Sequence, residues 1–119
     1  MASAELMEIW QVTRIGPLDL GPDDGVTMQV ADGRIAGRSG CNRYTGPVAL
    51  TAETLSSGGL ELGALAGTQM ACPEPASRIE SAFLTAIRQV DGYQLTATGG
   101  LVLTAGDSEL IQAERVLPD

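Results

Sequence analysis

Apolar and polar residues alternate along most of this chain with a period of two, which places successive side chains on opposite faces of a strand. Met7 to Ile15 predicts a first strand, ended by Gly16–Pro17. Val26, Met28 and Val30 alternate with Thr27, Gln29 and Ala31, and Asp32–Gly33 then supplies a two-residue hairpin turn whose central residues both take positive φ. Such a turn sets Ala31 opposite Arg34 and Val30 opposite Ile35, apolar against apolar. Tyr44, Gly46, Val48 and Leu50 alternate with Thr45, Pro47, Ala49 and Thr51 in another strand. Ser57–Gly58–Gly59 is expected to break the chain before a short strand of Leu60 and Leu62, with Glu61 facing out. Tyr93, Leu95 and Ala97 run into Thr98–Gly99–Gly100, read as a three-residue loop that sets Ala97 opposite Leu101 and Leu95 opposite Leu103; a two-residue loop would mix the faces. Asp107–Ser108 turns the chain into a last strand through Ile111 and Ala113, ending near Pro118.

The period changes once. After Cys72, Ile79, Phe83, Ile87 and Val90 recur at helical spacing, flanked by Ala76, Ala82 and Ala86, while Arg78, Ser81, Thr85 and Arg88 lie mainly on the other side. Pro73 or Pro75 suits the first turn, Ser77 and Glu80 have capping-box spacing, and Gly92 stops the helix. About eight short strands with turn signals every ten residues or so predict a mainly β (β-rich α+β) fold. The expected form is a small antiparallel meander barrel with one α-helix packed on it or plugging it. One domain spans the 119 residues, with its core over about 7–117.

Composition narrows the function classes. The net charge is −8 and the isoelectric point about 4.3, which argues against nucleic acid and against anionic membrane surfaces. All seven cations are arginine, and there is neither histidine nor lysine. That removes Ser–His–Asp, Cys–His and Schiff-base sites and leaves zinc poorly served, so no catalytic residue, metal or cofactor is expected. The turn Gly21–Pro22–Asp23–Asp24–Gly25 lacks the ligand spacing of a calcium loop. No stretch approaches the roughly 20 apolar residues of a membrane span. No cationic segment with an apolar run precedes Trp10, which predicts a cytoplasmic protein, or a periplasmic or envelope one should a leader have been removed.

The densest stretch is GRSGCNRYTGPV, Gly37 to Val48, where Gly40, Cys41 and Asn42 predict a sharp corner because glycine and asparagine tolerate positive φ. The order SGCNRYTG, then AGTQMAC, then a helix with ESAFLTAI, resembles the META domain of the HslJ-like heat-inducible proteins of bacteria. Trp10, Gly33–Arg34–Ile35 and VDGYQLTATGGLVL extend the resemblance over about Trp10 to Arg115. It implies a small antiparallel barrel with one helix, linked to stress and the cell envelope, without an agreed chemistry.

Two candidate sites lie in these motifs. Cys41 and Cys72, the only cysteines, admit three readings: a structural disulfide, two buried thiols, or a redox pair with Cys72 activated near a helix N-terminus. Their Cα atoms are expected within about 7 Å. Asn42, Arg43 and Tyr44 are the candidate binding residues, since an exposed Arg–Tyr pair suits a recognition surface. The alternative is that Asn42 satisfies corner backbone groups and Arg43 pairs with a carboxylate. The expected function is a non-enzymatic, monomeric interaction module with a protein partner. A barrel enclosing a small apolar ligand, or a thiol redox sensor, is the alternative.

Overall fold

The computed structural model describes residues 9–116. Among the described residues, ten strands and one α-helix follow one another as β1 (Ile9–Ile15), β2 (Leu18–Asp19), β3 (Thr27–Ala31), β4 (Arg34–Arg38), β5 (Arg43–Ala52), β6 (Ser57–Leu62), β7 (Ala66–Gly67), α1 (Ala76–Ile87), β8 (Gly92–Leu95), β9 (Gly100–Ala105) and β10 (Ser108–Arg115). Eight of them close into an antiparallel barrel, β1–β3–β4–β5–β6–β8–β9–β10, with β10 pairing back onto β1. The two-residue strands hang on this ring: β2 pairs β1, and β7 pairs the first half of β5. Closure removes the unpaired edges an open sheet would leave.

The inward positions of the alternating strands form one core. Trp10, Val12, Met28, Ile35, Tyr44, Leu60, Tyr93, Leu101, Leu103 and Ile111 belong to it, all buried. The helix lies at the end of the barrel where β4 passes into β5, and Ile79, Phe83 and Ile87 join the same core. Phe83 meets the Tyr44 ring at 5.2 Å between centroids, tilted by 52°. The helix plugs the barrel through its apolar stripe.

The Asp32–Gly33 hairpin forms with φ of 54° and 76° and pairs Val30 with Ile35 and Ala31 with Arg34. Other expectations need correction. The 98–100 loop is displaced by one residue: Leu95 faces Leu101 and Tyr93 faces Leu103, so Ala97, Thr98 and Gly99 form the turn. Gly99, at φ 88°, takes the left-handed position, and the Thr96 hydroxyl accepts from the Gly100 N–H at 2.8 Å. Ser57–Gly58–Gly59 is no break but the first half of β6, paired on both sides. Gly58 is needed there for close approach, because a Cβ would overlap the Thr51 carbonyl and stand 2.9 Å from the Tyr93 ring. The helix ends at Ile87, and Val90 is buried in the following turn, its N–H donating to the Ile87 carbonyl. The first strand begins at Ile9 among the described residues; Met7 and Pro118 lie outside them.

Candidate functional site

The corner between β4 and β5 is built from Ser39 to Asn42. Gly40 has φ 109°, and the Ser39 N–H donates to the Asn42 carbonyl at 2.8 Å. Asn42 itself does not adopt positive φ, contrary to the sequence expectation, and its contribution is its side chain. The carboxamide oxygen accepts from Met70 N–H at 2.7 Å and from the Thr68 hydroxyl at 3.0 Å. The amide nitrogen donates to Met70 O at 3.1 Å and to Glu80 Oε2 at 2.9 Å. All four hydrogen-bonding positions of the carboxamide are thus used.

Glu80 completes the arrangement from the helix. Its Oε1 accepts from the Asn42 backbone N–H at 2.9 Å and from the Ser39 hydroxyl. Burial pushes this carboxyl up, but the bonds from Ser39 and from the side chain and backbone of Asn42 outweigh it and hold Glu80 below the usual carboxylate value. An ionised acceptor surrounded by fixed donors is a poor proton carrier and a good structural anchor. Glu80 was the residue sequence reasoning missed. Its spacing from Ser77 suggested a capping box, but the helix start has no side-chain cap, and Ser77 instead donates to Glu74 at 2.7 Å.

Beside this polar latch, Cys41 and Cys72 form a disulfide, with Cα atoms 6.1 Å apart. The expected proximity, with Cα atoms within about 7 Å, is met. The bridge and the latch tie the same two segments together, the β4–β5 corner and the stretch leading into α1.

The three candidate binding residues do not form one surface. Strand alternation turns Asn42 and Tyr44 inward, where both are buried, and Arg43 outward. The Tyr44 hydroxyl donates to Thr27 O at 2.7 Å, and burial raises its pKa well above the ordinary phenol range. The Asn42 side chain satisfies no backbone group of the corner itself; it bonds the Met70 backbone, Thr68 and Glu80, across to the stretch leading into α1 and to the helix. Arg43 does not pair with a carboxylate: among the described residues its side chain makes no ion pair.

Arg43 instead faces Arg38 directly across the β4–β5 ladder. The two guanidinium-bearing side chains flank the middle of a groove of about 730 Å³ on the outer face of β3, β4, β5 and β7. Its floor is small, with Ala36, Gly37, Ala66 and Gly67; Gln29 and the half-exposed Ile9 lie toward β1, and no carboxylate lines it.

A family model described as the META domain matches residues 4–116. The chain belongs to the META domain family. The corner, the latch and the helix all fall within the matched META region. A protein from Burkholderia xenovorans, solved by NMR, has a similar structure: the TM-score is 0.73 at 29% sequence identity, covering 98% of this chain and 88% of that one. No curated protein matches this META chain. Among the described residues, no helix is long and apolar enough to cross a membrane.

Proposed function

We propose that this META domain is a non-catalytic protein-interaction module, and that its contact surface is the outer groove beside Arg43. The observation that carries the reading is the exposed Arg38–Arg43 pair over a small-residue floor, with no carboxylate to neutralise it. The remaining polar clusters favour the same reading, because Asn42 and Glu80 are saturated by internal bonds and unfit for chemistry. The absence of histidine and lysine from the sequence argues in the same direction. Within the barrel, Trp10, Met28, Tyr44, Phe83, Tyr93 and Ile111 occupy space that an enclosed apolar ligand would need. The disulfide favours an oxidising compartment, where such bridges persist, and so a role at the cell envelope. A stress-associated role would follow the family resemblance.

The test is a photo-reactive residue placed at Ala36 in the protein expressed in its host. A partner protein cross-linked through Ala36, and bound at least about tenfold more weakly by purified Arg43→Ala, is the expected result. Arg43→Ala should melt like the parent, since its side chain has no ion pair to lose among the described residues. No protein cross-linked at the groove, or equal affinity for the variant, would overturn the reading.

A further inference from the structure

The groove has a direction, and its register defines what would fill it. Ile9 pairs with Gln29, Gln29 with Ala36, Ala36 with Thr45, and Thr45 with Ala66, so these five outward residues form one row running across five strands. Neighbouring strands lie about 4.8 Å apart, so the row extends about 19 Å, the length of about six residues of extended chain. Arg38 and Arg43 stand beside this row on the same outward face, two residues along β4 from Ala36 and two along β5 from Thr45.

The polar groups around the row are mostly committed within the fold. Thr27 Oγ1 accepts from Arg38 N–H at 3.1 Å, and Thr68 Oγ1 accepts from Arg43 N–H at 3.1 Å while donating to Asn42. Thr45 Oγ1 accepts from Arg34 at 3.4 Å. What the groove leaves available is the two guanidinium groups and, toward β1, the neutral Gln29 carboxamide. Like charges directly opposite on a ladder repel, and arginine does not escape by losing its proton. In a chain of net charge −8, placing Arg34, Arg38 and Arg43, three of the seven cations, on the outward face of one hairpin creates a local field opposite in sign to the rest of the molecule. A carboxylate between Arg38 and Arg43 removes the repulsion and accepts charge-assisted hydrogen bonds from both.

We propose that the groove binds an extended segment of a partner protein, about six residues long, carrying one carboxylate side chain among small apolar residues. The inference rests on the interaction-module reading above and adds the chemistry of its partner. The carboxylate sits between Arg38 and Arg43, and the small apolar side chains lie over Ala66 on one side and over Ala36 toward Ile9 on the other. A densely anionic ligand is disfavoured by the net charge of the whole chain, and a lone anion leaves the row uncovered.

A random heptapeptide library selected against the purified, disulfide-bonded protein tests this directly. The expected winners carry a central Asp or Glu flanked by small apolar residues, and shift the amide resonances of residues 36–38, 43–45 and 66–68. Replacing that acid by its amide, or using the Arg38→Gln/Arg43→Gln double variant, should weaken binding at least about tenfold. The double variant should melt at or above the parent temperature, having lost a repulsive pair, which separates lost binding from lost fold. Winners that map to the groove without needing an acid would overturn this inference and leave the module reading standing. Winners mapping elsewhere, or none, would overturn both. Inorganic phosphate shifting the same resonances at an equal or lower concentration would assign the groove to a small anion and overturn the peptide assignment.

Discussion

At the scale of single residues, strand parity decides what each member of the corner can do. Arg43 follows Asn42 and precedes Tyr44, so the side chain of Arg43 must point away from the other two. A sequence triplet that resembles a recognition motif is therefore split between the core and the surface. Gly40 is fixed by a different constraint. Its φ of 109° is left-handed, and a Cβ there would lie 3.3 Å from Ala76 O and 3.4 Å from Ile79 Cγ2. Gly40→Val should lose about 2 kcal/mol or more, read as a lower midpoint in urea unfolding, with Gly40→Ala losing less. An unchanged midpoint for the valine variant would show that the corner relaxes around it.

At the scale of elements, the latch between the β4–β5 corner and α1 is the joint that seats the helix on the barrel. The Glu80 carboxylate receives three hydrogen bonds from this corner, so Glu80→Gln, which replaces an acceptor by a donor facing donors, should cost about 1–3 kcal/mol at neutral pH. The pH dependence has a definite sign. Because the folded pKa of Glu80 is lowered from 4.5, its contribution is present above that value and fades as pH falls through the folded pKa. The stability difference between parent and Glu80→Gln, measured by urea unfolding from pH 7 downward, should narrow only below about pH 4.5. A difference independent of pH would remove the ionised carboxylate from the account.

For the whole molecule, the Cys41–Cys72 bridge joins residues 31 apart in sequence and crosses from the barrel to the approach of the helix. Closing a loop of that size limits the unfolded chain by an equivalent of about 3–4 kcal/mol. The Cys41→Ser/Cys72→Ser variant should lose about that much in denaturant unfolding, and the parent in reductant should approach it. Loss confined to the parent's reduced form, with the double variant unaffected, would contradict this. The barrel strands should keep their hydrogen-exchange protection, while Thr68 and Met70, whose N–H groups bond Arg43 O and Asn42 Oδ1, exchange faster once the bridge no longer holds that stretch.

Much of this molecule was legible in the chain alone because local rules and tertiary packing agree. The alternation in 26–31 and 44–51, the Asp32–Gly33 turn and the Ile79–Phe83–Ile87 stripe each state which face is buried, and burial of that face is what the barrel supplies. The corner and AGTQMAC motifs identified the META domain for the same reason: their constraints are local. The tertiary structure decided the rest where a residue's role depends on a distant partner. Gly58 reads as a break until Tyr93 covers it, and Glu80 reads as a helix cap until Asn42, 38 residues earlier, supplies better donors. Arg38 and Arg43 become neighbours only when β4 and β5 pair, and the groove beside them exists only when β3 and β7 flank that pair. Periodicity specifies which way a side chain points; only closure of the barrel specifies what it meets.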